Sequence, residues 1–292
     1  MVDIIHFCSK YHPFNGNIFY HFEYYIFLLQ RYVDVRLHII SNGPSLEQIL
    51  EVMDDRYDID YLDYKDNIIY YKNDIPTQFF KNVITNSKTV FDLDGKITAE
   101  HIHMVHTWAS CIGGFKEKIC KFLHYNDIIE YNESPLCGEV NYTRPIYFNI
   151  LKPVSIISTN VYLHLCGVRN IKMRDFLEHV LPLVKGKKIM VSYPEHQSKE
   201  MEYLNKINFV ETYINHIPDL FNKFGTYFYI MLDSIDYSPR MLIECAYLGK
   251  EIIYLDKTGV LHGGYTRYKD IQDRNIDKYQ MTEDDKLLKN FI

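Results

Sequence analysis

Alanine is nearly missing: the 292 residues hold three, Ala99, Ala109 and Ala246. Tyrosine occurs 26 times, and Ile, Asn, Lys and Asp abound. This bias follows A/T-rich codons and points to an A/T-rich genome, a viral one among the candidates. Paired cysteines are missing too. Cys8, Cys111, Cys120, Cys137, Cys166 and Cys245 lie far apart with no CxxC pair, and no charged-then-apolar leader precedes the first strand-like run. The expectation is reduced thiols in a cytoplasmic protein, in the host cytoplasm if the source is viral. No apolar run approaches the roughly 18 to 20 residues needed to cross a bilayer, so no membrane span is expected. A basic excess is also lacking. Thirty-two Lys and Arg face 38 Asp and Glu, a net charge of −6, which excludes a global field that would gather polyanions. The imbalance is one-sided: residues 1–150 carry 13 basic against 20 acidic side chains, and the rest carry 19 against 18. An anionic ligand is better received by the second half.

What is present suffices for a folded protein. With 47% apolar and 15% aromatic residues, the chain can bury a substantial core, and its length suits two domains of about 100 to 150 residues each. Asp3 to Ser9 reads as a strand, Lys10 to Asn17 as a loop, Phe19 to Tyr32 as a helix and Val33 to Ser41 as a second strand, a βαβ opening. Ser45 is placed to cap a helix through Met53, and Asp54 to Asp74 reads as short strands and loops. Thr89 to Asp92, His103 to Thr107 and Asp127 to Tyr131 are read as further strands, with a helix at Phe115 to Leu123. After a boundary between Pro145 and Lys187, strands at Lys188 to Ser192, Phe209 to Ile214, Thr226 to Leu232 and Glu251 to Leu255 alternate with helices at Ser198 to Ile207, Pro218 to Phe224 and Pro239 to Leu248. The alternation predicts an α/β fold of two Rossmann-like domains, 1–150 and 151–292, with a tail helix that folds back across the first.

The segment Asp233 to Lys250, DSIDYSPRMLIECAYLGK, carries the most chemistry. A strand ends, a loop brings Asp236 and Ser238, and Pro239 takes the favoured first position of a helix, leaving amides near Arg240 without intrahelical partners. Such a start favours a phosphate, Arg240 adds charge, and Glu244, one turn on, can accept bonds from sugar hydroxyls.

This stretch resembles the donor-binding element of GT-B glycosyltransferases, an E-x7-E or D-x7-E pattern leading into a helix and then a strand. Asp236 to Glu244 followed by Gly249-Lys250-Glu251-Ile252-Ile253-Tyr254 has that order, with Asp at its head in place of the commoner Glu. The resemblance implies that Glu244 holds the ribose of a nucleotide sugar, Ser238, Pro239 and Arg240 the diphosphate, and Asp236 the sugar. The amino-terminal loop His12-Pro13-Phe14-Asn15-Gly16-Asn17 is similar to the Gly-containing loop that opens such chains, which brings Gly16 and Asn17 to the cleft; Asn17 stands where a second glycine is common. His106-Thr107-Trp108 resembles the family's cleft histidine, which touches the transferred sugar. The basic pair that often follows the donor domain's first strand lacks a clean match, His196 and Lys199 being nearest. Glu133 and Asp127 are positional candidates for a general base.

Rival readings weigh against this one. His101, His103 and His106 suggest a metal cluster, but period-two spacing puts only the first two on one strand face. Phe91-Asp92-Leu93-Asp94-Gly95 resembles the DxDG loop of haloacid dehalogenase-like phosphatases, which would make Asp92 a nucleophile and Asp94 an acid/base with magnesium. Ser192, Asp233 and Lys223 would be its later elements, although Lys96 stands where that family has Thr. A non-catalytic nucleotide-binding Rossmann protein is the third possibility.

The combined expectation is a GT-B enzyme, its two domains facing a cleft, that moves a sugar from a nucleotide diphosphate donor, a UDP-sugar first, to a hydroxyl, with no obligatory metal. The acceptor is either a hydroxymethylated pyrimidine of viral DNA, as some phage enzymes of this fold use, or a glycan, lipid-linked or protein acceptor. The oligomeric state is open.

Overall fold

The computed structural model describes residues 1–10, 14, 16–93, 96–106, 125–133, 139–155, 157–164, 181–184, 189–192, 209–212, 219–230, 239–255 and 269–292. The chain divides into two compact units, one of Met1–Ile150 with Tyr279–Ile292, the other of Leu151–Lys278.

In the first unit, β1 (Val2–Cys8) is apolar except for Asp3 and His6 and is buried at six of seven positions, as suits a strand covered on both faces. It lies at the centre of a six-stranded sheet with β2 (Val35–Ser41), β3 (Ile68–Lys72), β4 (Gln78–Asn86), β5 (Ile97–His106) and β6 (Tyr125–Asn132). The order is β3-β2-β1-β4-β5-β6, and every pairing is parallel. This doubly wound order reverses between β1 and β4, where ligands of such sheets bind beyond the carboxyl ends of the strands. Helix α1 (Gly16–Leu29) is buried from Ile18 to Leu28. Alternation along β1 sends Ile5 into a cluster with Val83, Val90, Ile102 and Met104, while His6 meets His21 of α1. Helix α2 (Leu46–Arg56) has the capping box its sequence announces: Ser45 Oγ accepts from the Gln48 amide, and Gln48 Oε1 accepts from the Ser45 amide.

One strand expected from the sequence is a helix. Thr89 to Asp92 lies in α3 (Ser87–Asp92), because Asn86 Oδ1 accepts from the Thr89 amide at 2.8 Å and so starts a helical turn. The preceding run, Gln78–Asn86, supplies the strand instead. The helix expected at Phe115 to Leu123 and that at Ser198 to Ile207 lie outside the described residues.

The second unit holds β7 (Val161–His164), β8 (Ile189–Ser192), β9 (Phe209–Thr212), β10 (Thr226–Ile230) and β11 (Glu251–Leu255), all parallel, in the order β11-β10-β7-β8-β9. This is the same winding, with its reversal between β7 and β10; β7 was not foreseen. Its described helices are α4 (Leu220–Lys223), α5 (Arg240–Tyr247) and α6 (Lys269–Gln272). After α5 the chain turns through Gly249 at φ +73°, and the Gly249 and Lys250 amides donate back to Ala246 and Cys245 carbonyls, an ending that needs a residue free to adopt the left-handed region.

The last fourteen residues return to the first unit. The Ile146 amide donates to the Tyr279 carbonyl at 2.7 Å and the Met281 amide to the Ile146 carbonyl at 2.9 Å. Leu287 and Leu288 are fully buried. No described helix is long and apolar enough to cross a membrane.

Candidate active site

In the second unit, β10 borders the reversal of strand order, and α5 is the next described element before β11. Pro239 precedes α5 at φ −72°, and its carbonyl accepts from the Ile243 amide. Arg240 and Glu244 are both buried, and Arg240 Nη2 lies 2.9 Å from Glu244 Oε1, one turn away. The charge that Arg240 was expected to add at the helix start is thus buried and lies against a carboxylate of its own helix. Asp236, Ser238 and Lys199, with His196, lie outside the described residues.

In the first unit, two groups gather at the carboxyl end of the sheet. One joins sequence candidates through a residue the sequence did not single out. Gly16 opens α1, and Asn17 follows it; Arg144 Nη1 donates to Asn17 Oδ1 at 2.6 Å, while Arg144 Nη2 donates to Glu133 Oε2. The guanidinium also lies 4.4 Å from the centre of the Tyr20 ring. Burial alone would lower the Arg144 pKa, but Glu133 and the nearby tyrosines raise it above its ordinary value. Glu133, the carboxylate guessed as a general base, is thus occupied by a buried cation.

The second group is His106 and Glu130. His106, the last residue of β5, is buried, and its Nε2 lies 3.2 Å from Glu130 Oε1 on β6. The register pairs Met104 with Glu130 and His106 with Asn132, so Glu130 and His106 are diagonal neighbours on one face. A histidine beside a carboxylate can take up a proton and have the resulting charge stabilised. Nothing in the linear sequence marked Glu130, because the pairing depends on the parallel register.

The three histidines considered as metal ligands do not converge. His103 Nδ1 meets the Tyr131 hydroxyl at 3.0 Å, His106 meets Glu130, and His101 lies 3.4 Å from Glu100. Among the described residues no three His, Cys, Asp or Glu side chains group as ligands. Asp92, the nucleophile of the phosphatase reading, sits in the last turn of α3, where Lys88 Nζ donates to it at 2.6 Å. It does not end a strand. Asp94, Gly95 and Asp233 lie outside the described residues.

No family model matches the chain, and no curated protein does. Solved structures do. An alpha-glucosyltransferase in complex with UDP-glucose and DNA containing an abasic site matches with 95% of this chain and 90% of that one covered, at 13% identity and a TM-score of 0.50. The chain has the fold of that glycosyltransferase. An alpha-glucosyltransferase with UDP and a 13-mer DNA containing an HMU base matches over the same shares at 14% identity and a TM-score of 0.49. Arabidopsis thaliana UGT89C1 matches over 99% of this chain and 97% of its own, at 9% identity and a TM-score of 0.41. The expected α/β fold class, with Rossmann-like winding in each of the two units, is the fold found. Of the sequence candidates among the described residues, Pro239, Arg240 and Glu244 lie at α5, and Gly16, Asn17, His106 and Glu133 lie at or just beyond the carboxyl ends of β1, β5 and β6.

Proposed function

We propose that the chain transfers a sugar from a nucleotide diphosphate donor, held by the second unit, to a hydroxyl held by the first. The observation that carries this reading is the place of α5: the helix bearing Arg240 and Glu244, preceded by Pro239, follows the strand beside the reversal in strand order, the position at which doubly wound sheets bind nucleotides. The fold likeness to a glucosyltransferase supports it by analogy. In this reading Glu244 serves the ribose, Ser238 and Arg240 the diphosphate with Lys199 near it, and Asp236 and His106 the sugar. Catalysis is positioning plus charge stabilisation. The His106–Glu130 pair replaces Glu133 as the candidate that takes the acceptor proton, because Glu133 is engaged by Arg144.

The acceptor we favour is a hydroxymethylated pyrimidine in DNA, since the solved glucosyltransferase at TM-score 0.50 is in complex with UDP-glucose and DNA containing an abasic site. The balance of 13 basic to 20 acidic residues in positions 1–150 favours a glycan or another neutral acceptor, because phosphate contacts call for Lys and Arg. The test is transfer from radiolabelled UDP-glucose to duplexes with and without 5-hydroxymethyluracil or 5-hydroxymethylcytosine, across a salt series. Transfer that needs the hydroxymethyl group and falls steeply with salt supports DNA. Transfer to an oligosaccharide with a flat salt response would replace it, and no stabilisation of the protein by any UDP- or GDP-sugar would end the glycosyltransferase reading.

A further inference from the structure

Arg144 ties the start of α1, 127 residues away, to the nearby end of β6. It lies beyond β6 in the 139–155 segment; Asn17 is in the first turn of α1, and Glu133 directly follows β6. A guanidinium carries donors only, so the Asn17 atom at 2.6 Å is its oxygen and the amide nitrogen turns away from Arg144. Tyr20, three residues along α1, packs against the same guanidinium. One buried side chain therefore fixes the first turn of α1 at two points and ties it to the end of β6.

Stability alone does not call for such a pair. Replacing both members of a buried ion pair with apolar residues of similar size is often neutral or stabilising, whereas removing one leaves an uncompensated charge. We propose that Arg144 is a positioning residue for the acceptor: it sets the orientation of the Asn17 amide and the Glu133 carboxylate, so that the carboxyl end of this sheet meets the acceptor hydroxyl in one arrangement. The proposal rests on the reading that the first unit takes the acceptor. A misplacement of this kind can cost about a hundredfold in rate without touching the reacting atoms.

The experiment compares the full-length wild type with Arg144→Met, Arg144→Lys and the double variant Glu133→Leu/Arg144→Met. It follows thermal midpoint, hydrogen exchange of the amides at positions 17 to 20, and kinetics with UDP-glucose and a 5-hydroxymethyluracil duplex. Arg144→Met should be destabilised and the double variant should recover its midpoint. The double variant and Arg144→Lys should nonetheless keep an acceptor KM raised about tenfold or more, an unchanged KM for UDP-glucose, and faster exchange at the start of α1. A double variant with wild-type midpoint, exchange and acceptor KM overturns the proposal. If the double variant does not fold, Asn17→Ala removes a neutral arm and keeps the ion pair: a raised acceptor KM upholds the proposal, and an unchanged one overturns it. If the wild type transfers no sugar to any acceptor, the functional reading fails and the acceptor role falls with it, whereas transfer by the wild type with an unchanged acceptor KM in the variants overturns this proposal alone.

Discussion

The Arg240 guanidinium reaches the Glu244 carboxylate at 2.9 Å across one turn of α5, with Glu244 completely buried. That pairing changes what a substitution reports. From sequence, Glu244→Ala is a loss of donor binding with little effect on folding. In the structure it takes a carboxylate partner away from a buried guanidinium, and breaking a buried ion pair by removing one member costs up to about 3–5 kcal/mol. Glu244→Ala is therefore expected to lower the thermal midpoint markedly as well as remove stabilisation by UDP. Arg240→Met/Glu244→Leu should restore the midpoint without restoring the response to UDP. A restored double variant that UDP still stabilises would take the donor site away from α5.

Asp92 separates the two enzyme readings at small structural cost. Its bond to Lys88 spans one turn of a short helix, with both side chains partly exposed. Asp92→Asn should cost no more than about 0.5 kcal/mol and leave sugar transfer unchanged. A phosphatase built on this residue would lose its hydrolysis of p-nitrophenyl phosphate altogether. Magnesium-dependent hydrolysis in the wild type, abolished in Asp92→Asn, would reverse the assignment.

His6 and His21 make the fold sensitive to acid. Their Nδ1 atoms lie 3.1 Å apart and both rings are buried. Burial, and then the charge of Lys88, pushes the His6 pKa down to about 3; burial, His6 and Arg144 hold His21 well below its ordinary value. Unfolded, both bind protons near pH 6.5. Between that pH and the folded values the unfolded chain binds more protons, so stability falls as pH drops below about 6.5, by up to ~1.4 kcal/mol per pH unit for each ring. Urea midpoints measured from pH 7.5 to 4.5 should fall, and His6→Gln should flatten the slope. A midpoint independent of pH over that range would show that the rings are not held neutral.

Cys8 should resist alkylation. It is buried on β1, and burial raises its thiol pKa to about 12, which removes the reactive thiolate at neutral pH. Iodoacetamide followed by peptide mass spectrometry should find Cys8 unmodified in native protein and fully labelled in urea. Rapid native labelling would mean that β1 opens readily.

Much of the fold was legible because its signals are local. The apolar run of Val2–Cys8 and the Ser45–Gln48 capping box each declare their element within a few residues. β4 was missed because its exposed start, with Phe79 and Lys81 towards solvent, breaks the pattern before the buried stretch Val83 to Asn86. β7 has four residues, too few for a strand periodicity to show, yet pairing with β10 and β8 makes it central. The site was legible where one segment carries it, as Pro239 to Glu244 does. Arg144 and Glu130 were not, since their partners lie 127 and 24 residues away in the chain and only the sheet brings them together.

The carboxyl-terminal segment is expected to be essential to a unit it follows at a distance. Asp285 accepts from the Tyr142 hydroxyl and from the Leu287 and Leu288 amides, Asn290 donates to the Tyr131 hydroxyl at 3.0 Å, and the Phe291 ring packs 4.7 Å from His103. Leu287 and Leu288 are fully buried between these anchors. A large-to-small change at such a site costs about 2–5 kcal/mol, so Leu288→Ala should lower the midpoint clearly, and deletion of residues 279 to 292 should do so far more. Because the anchors grip β5, β6 and the 139–155 segment, the loss should extend to hydrogen-exchange protection of β6. If the shortened chain keeps both its midpoint and the protection of β6, the tail is an attachment and not part of the first unit's core.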